Sequence, residues 1–285
     1  MEVRPAGWDD FDAVVDLLAA RERAVHGIAD LRPEHVRVDW ELPSFSVGAD
    51  HWVAVEDGRV VGYAAISPSQ ELTHAAPVAG DELLQRALAR ARELDFERLR
   101  VFVSPDDIAL IDVVDTYGFA RETEIVRMWK RLDGESPAPT WPAGVHVRTY
   151  EAGDAAAVKA LLDHAYAGWD DAYAPQPLDD WVRWMTGDYD FDPAVWWLAE
   201  EDGELVGCVL NWRSGWVKDI AVRTSHRGRG LGKALLLHSF SEFHRRNVSR
   251  IGLKVDAANP TGAPQLYEGL GFVADRREEI RTLWL

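Results

Sequence analysis

Apolar and polar positions alternate along this chain between strand-like and helix-like stretches, and the same succession is met twice. After Val3-Arg4, the residues Ala13, Val14, Leu17 and Leu18 recur at helical spacing; after Val147-Arg148, Ala157, Val158, Leu161 and Leu162 repeat them 144 positions on. Residues 52–62 (WVAVEDGRVVG) match residues 197–207 (WLAEEDGELVG) at a distance of 145. Each reads as an apolar strand, an acidic-Gly hairpin turn and a second strand. Tyr117-Gly118-Phe119 and Leu270-Gly271-Phe272 match at a distance of 153, each followed by a strand-like segment carrying Trp129 or Trp284. Both halves therefore predict the order strand, helix, antiparallel hairpin, strand, helix, strand, helix, strand, an α/β fold with a mixed sheet flanked by helices. The stretch 133–144 (DGESPAPTWPAG) reads as a linker, which divides the chain into domains 1–132 and 145–285.

The two copies differ at one connection. In the second, the strand Trp216–Val222 leads through Arg227-Gly228-Arg229-Gly230-Leu231-Gly232 into a helix expected from Lys233 onward; the first has only Ala75-Ala76-Pro77-Val78-Ala79-Gly80, with one glycine and no arginine. A strand that passes through close glycines into a helix aims backbone N–H groups at one point and adds the positive end of the helix dipole, which suits phosphate. Arg227, Arg229 and Lys233 supply counter-charge. The spacing is neither that of a Walker loop nor that of a dinucleotide-binding G-x-G-x-x-G.

Composition narrows the classes. The 285 residues are 47% apolar and include 13 Trp, enough for two cores without metal or disulfide. Cys208 is the single cysteine, so no intramolecular disulfide forms, and a small core residue is its ordinary reading. No His/Cys/Asp spacing indicates a metal site. No apolar signal core opens the chain and nowhere do eighteen apolar residues run together, so the expectation is a cytoplasmic protein without a membrane partner. A formal charge of −17 argues against a nucleic-acid partner. That charge is unevenly spread: residues 151–204 hold 14 acidic and 2 basic side chains, residues 205–285 hold 7 and 13.

With Ile220-Ala221-Val222, RGRGLGKALL from Arg227 and VDAANPTGAPQLYEGLGF from Val255 to Phe272, the second half resembles the GNAT superfamily of acyl-CoA N-acyltransferases. The first half follows by topology and repeat alone, so the layout is the tandem form of the fold. The resemblance implies acetyl-CoA as cosubstrate, with its pyrophosphate on Gly228 to Lys233 and its pantetheine arm along Ile220, Ala221 and Val222. It places Asn259 near that arm, and Tyr267 where relatives carry the acid for the CoA thiolate. Tyr267 stands eight positions after Asn259, one more than the usual family spacing. By themselves, Tyr267 reads equally as a helix-face aromatic and Asn259-Pro260 as a turn former. Asp219 is the leading candidate for taking the proton of an attacking amine, or else a carboxylate paired with Lys218; alternation turns it away from Ile220 and Val222.

Relatives hold the acceptor between the first helix and the hairpin. There Trp169, Asp170, Asp171 and Tyr173 mix aromatics with carboxylates, as a cationic amine or amino sugar would require. Trp181 and Trp184 fit either that site or the core. The functional expectation is an N-acetyltransferase for a small amine; the other readings are an acyl-CoA-binding sensor without catalysis and an aminoacyl-tRNA-dependent transferase. The first half, with Asp106 or Asp107 near the asparagine position and Val113-Val114 near the tyrosine position, is expected to be catalytically silent. Acceptor identity, acyl length and oligomeric state are left open.

Overall fold

The computed structural model describes residues 1–44, 46–167, 173 and 175–285. The chain runs β1 (Glu2–Pro5), α1 (Phe11–His26), α2 (Pro33–Trp40), α3 (Val47–Asp50), β2 (His51–Glu56), β3 (Arg59–Ile66), β4 (Glu71–Ala75), α4 (Gly80–Glu93), β5 (Arg98–Val103), α5 (Ile108–Thr116) and β6 (Ala120–Arg131). After the linker come β7 (Val145–Thr149), α6 (Ala155–Ala167), α7 (Leu178–Gly187), β8 (Trp197–Glu201), β9 (Glu204–Trp212), β10 (Trp216–Val222), α8 (Leu231–Arg245), β11 (Arg250–Asp256), α9 (Ala263–Gly269) and β12 (Val273–Trp284). This is the mixed α/β succession that the repeat predicts, with α2, α3 and α7 added between the first helix and the hairpin of each half. The hairpins turn where expected: Asp57-Gly58 and Asp202-Gly203 both take left-handed backbone, with φ of 49° and 73°, then 53° and 80°. Consecutive left-handed residues give the turn whose twist matches the flanking strands.

The chain divides into two compact units, and their boundaries fall inside strands rather than in the linker. One unit comprises residues 1–124, 187–189 and 277–285; the other comprises 125–186 and 190–276. In the first, the strand order is β1-β2-β3-β4-β5 and then the C-terminal half of β12, paired antiparallel to β5 from Glu279 opposite Val103 to Trp284 opposite Arg98. In the second, the order is the C-terminal half of β6, then β11-β10-β9-β8-β7, with β6 antiparallel to β11 over seven residue pairs from Ile125–Asp256 to Arg131–Arg250. Each unit thus takes a strand from the opposite half of the sequence, a difference from division at 133–144. The reason is apolar burial: Val126, Met128 and Leu132 belong to the core built by α6, α8 and β8–β11.

Within the second unit, two details shape the site. Parallel β10 and β11 are paired at Trp216 and Gly252 and at no other residue described, so the strands part beyond that point. Gly252 is obligatory there, because a Cβ would stand 2.6 Å from the Trp129 ring and 2.7 Å from the Trp216 ring. The ladder between β9 and β10 shifts register between Val217 and Asp219, leaving Lys218 as the extra residue of a bulge. Among the described residues no helix is long and apolar enough to cross a membrane.

Candidate active site

The loop after β10 has the geometry its glycines allow. Gly228 and Gly230 are left-handed, with φ of 75° and 84°, and nothing lies within 4 Å of a Cβ built on either. Gly230 is the N-cap of α8, so that helix begins at Leu231, two residues before the position expected. Leu231 is 2% exposed and lies against β9, where a Cβ at Gly207 would come within 3.1 Å of it. That close contact fixes the helix start, and the space above Gly228 and Gly230 in front of it is open. A cavity of 840 Å³ adjoins it, lined by Arg229, Gly230, Lys233, Phe240, Lys130 and Leu270 among others.

The three expected cations are not equivalent. Arg229 is held by Glu201 of β8 through two hydrogen bonds of 3.0 and 2.6 Å, and His226 reaches the same carboxylate at 2.8 Å. Arg229 and then His226 hold the Glu201 carboxyl down at about 2. Arg227 donates its Nε to the carbonyl of Val222 at 3.2 Å, whereas Lys233 is exposed on the first turn of α8 and has no carboxylate partner among the described residues. Lys233 and Arg227 are therefore the two of the three cations without a carboxylate partner among the described residues. Glu201 was not singled out by motif, because its role arises only when the β8–β9 hairpin meets the loop.

On the opposite face of β10, Asp219 accepts a hydrogen bond from the hydroxyl of Tyr166 on α6, and Lys218 Nζ lies 3.6 Å from its Oδ2. The bulge is responsible for this orientation. Val217 stands opposite Asn211, whose amide donates to Ser239 Oγ on α8; without the extra residue Asp219 would share that face. Instead it pairs with Leu210 and joins Ala221 and Cys208 on the α6 face. Ile220 and Val222 take the α8 face, as alternation predicts; Val222 Cγ2 is 3.9 Å from the Cβ position of Gly232. Lys218 Nζ also sits 4.5 Å from the centre of the Trp184 ring.

Tyr267 of α9 is 5% exposed and contacts Phe272 edge-on at 5.8 Å. No hydrogen bond is found for its hydroxyl among the described residues, and that oxygen is not among the buried side-chain atoms left without a partner, so it has access to solvent. Burial first, and then the charge of Asp219, push its pKa well up. Burial first, and then the charge of Asp219, also push Tyr166 well above its ordinary value. Cys208 is fully buried; burial and Asp219 raise its thiol, so it is a neutral core group and no nucleophile.

Asn259 caps its own turn, its Oδ1 accepting from Thr261 N at 2.9 Å and Thr261 Oγ1 at 2.6 Å. The turn-former role is thus real, and only the Nδ2 group is left to face a ligand. Of the acceptor-side expectations, Trp169, Asp170 and Asp171 lie outside the described residues. Tyr173 donates to Asp163 Oδ1 at 2.7 Å, and Asp163 in turn holds buried Lys159 at 2.7 Å. Trp181 is 6% exposed and 6.3 Å from Trp196, a core contact. Tyr166 was missed, although it continues the buried stripe of Val158 and Leu162 at i+8 and i+4.

The other unit is closed at the corresponding place. At the start of α4 a Cβ on Gly80 would meet the His74 ring at 3.4 Å and Val113 at 3.3 Å, and His74 Nε2 lies 3.1 Å from the Gly80 carbonyl. Asp107 caps α5 and pairs with Arg21 at 2.5 Å, and Val114 is fully buried. Nothing there resembles the open glycine surface of α8.

A family model described as Acetyltransferase (GNAT) family matches residues 157–272. The chain belongs to this family, and it is an acyltransferase enzyme of the tandem GNAT form. Among its relatives, a mycothiol acetyltransferase of Thermobispora bispora is 32% identical over 242 residues, covering 79% of this chain and 80% of that one. A mycothiol acetyltransferase of Streptomyces coelicolor is 30% identical, covering 92% and 88%. A GCN5-related N-acetyltransferase from Sphaerobacter thermophilus superposes with a TM-score of 0.77 at 27% identity, covering 99% of this chain and 95% of that one. A tandem GNAT protein from the clavulanic acid biosynthesis pathway, at 0.70 and 21% identity over 99% and 98%, shares the fold.

Replacing Gly230 with valine is expected to weaken acetyl-CoA binding at least tenfold. A β-branched residue at φ of 84° costs about 1–2 kcal/mol, and its side chain would occupy the open space above the helix start. Thermal unfolding should shift by only a few degrees. Calorimetry giving the parental affinity would show that the loop is not the anion site.

Proposed function

We propose that the chain transfers the acetyl group of acetyl-CoA to the primary amine of a small, cationic or amino-sugar acceptor, at one site per chain, by direct attack. The observation that carries this is the juxtaposition in one unit of an open glycine surface at the start of α8 with Asp219, bonded by Tyr166, beside the parting of β10 and β11. The residues fit the cosubstrate. The N–H groups of Gly228 to Lys233 suit a pyrophosphate, the unpaired edge of Ile220–Val222 suits an amide-bearing pantetheine arm, and the adjoining cavity with Lys130 and Lys233 suits a nucleotide. When bound, acetyl-CoA supplies the activated thioester.

The chain's own groups then have separate tasks. Asp219 takes the proton that an ammonium must lose before its nitrogen can attack. A backbone N–H on the parted stretch of β10 meets the oxygen on which charge develops. Tyr267, kept protonated by its burial, hands a proton to the leaving sulfur. The relatives' name supports an acceptor from mycothiol chemistry, as does the two-domain layout, which resembles mycothiol synthase. The formal charge of −12 over residues 151–204 supports a cation over a carboxylate-rich amine.

Incubation with acetyl-CoA and a panel of amines, amino sugars and mycothiol-type amines, read by mass spectrometry, should show acetylated cationic amine with matching release of CoA. Acetyl-CoA binding without transfer to any member would favour the sensor reading. Transfer chiefly to anionic amines would overturn the assignment of charge.

A further inference from the structure

From the hydrogen bond between α6 and β10 we infer that Tyr166 is a positioning residue for the reaction, acting through Asp219. The inference rests on the reading of Asp219 as the group that takes the amine's proton. Tyr166 projects from the last turn of α6, on the stripe that includes Val158 and Leu162, and its hydroxyl donates to Asp219 Oδ1. The other oxygen, Oδ2, faces Lys218 Nζ at 3.6 Å, beyond hydrogen-bond length, while that ammonium rests on the Trp184 ring at 4.5 Å. The carboxylate therefore has a hydrogen-bonded donor on one oxygen and a more distant cation at the other.

Asp219 re-enters the ladder opposite Leu210 just past a bulge, which fixes the face its side chain takes but not the rotation of its carboxylate. Without the phenol, rotation toward Lys218 would let the ammonium engage the carboxylate directly. That pairing would bury the lone pairs needed by the substrate and hold the proton acceptor in an ion pair. With the phenol in place, one oxygen is occupied and the other stays available. Tyr166 is itself held: its ring packs 5.7 Å from that of Tyr173, whose hydroxyl binds Asp163, the partner of Lys159. Burial and the neighbouring carboxylate push its pKa well up, so it remains a donor across the neutral range.

The test is a double-mutant cycle of Tyr166→Phe and Asp219→Asn, with turnover measured under conditions where chemistry limits the rate. Y166F is expected to lower kcat about tenfold, equivalent to roughly 1.4 kcal/mol, while the KM for acetyl-CoA stays within about twofold. In the D219N background the same change should have no further effect, because the group it orients is gone. A full-activity Y166F, or one whose loss multiplies with that of D219N, would overturn the inference while leaving Asp219 in its role. A fully active D219N would instead remove the base assignment. Should Y166F fail to fold, Tyr166→Met serves the same cycle, since it also fills apolar space without a donor.

Discussion

Phenylalanine at position 267 is expected to reduce turnover by roughly ten- to a thousandfold, the range over which a positioned proton donor accelerates reactions. Acetyl-CoA affinity should change little. The substitution removes one oxygen and keeps the ring, so the edge-on contact with Phe272 and the burial of α9 persist. Because the hydroxyl has no partner among the described residues, its loss strands no other polar group. Stability should hold or rise slightly, so turnover alone separates the two roles of Tyr267. A tyrosine that only fills the core would give an active enzyme of similar melting temperature. A proton donor gives a folded, saturable and slow one. The measurement is kcat and acetyl-CoA affinity together with a melting curve; undiminished turnover with chemistry limiting would leave the leaving sulfur without its assigned acid.

The second large effect concerns where the chain can be cut. A fragment of residues 145–285, which division at the linker would select, is expected not to fold stably, whereas a fragment of residues 125–276 should fold and bind acetyl-CoA. The first lacks Ile125–Arg131, the strand that pairs with β11 along its whole length. Since β11 meets β10 at only one residue pair, it would lose nearly all its ladder. Val126 and Met128, 6% and 4% exposed, would also leave the core. At about 1.5–3 kcal/mol for each buried side chain, before any hydrogen bonds are counted, the loss is a large part of the 5–15 kcal/mol that keeps a domain folded. Circular dichroism and thermal unfolding of the two fragments decide the matter. A cooperative transition near that of the whole chain for 145–285 would mean that the exchanged strand is dispensable.

The features readable from sequence are those decided within a few residues of themselves. Strand, turn and helix in the loop from Ile220 to Lys233 follow from local residue preferences, and left-handed backbone at Gly228 and Gly230 needs no distant partner. The Asp-Gly hairpins and the repeated order of elements are local in the same sense. Sequence also carried the contrast between the two copies, since a loop with a single glycine and no arginine cannot offer the same open backbone and counter-charge whatever surrounds it.

What the tertiary structure decided is pairing between residues far apart. The bulge at Lys218 turns Asp219 onto the α6 face, and only packing of α6 against that face brings Tyr166, 53 positions away, to its carboxylate. The capture of Arg229 by Glu201, 28 positions earlier, likewise depends on the hairpin meeting the loop. Strand exchange is the largest such case. Linker composition marks where a chain is free of regular structure, but the partner of an edge strand is chosen by the open backbone donors and apolar surface it can cover, and for Ile125–Arg131 those belong to β11.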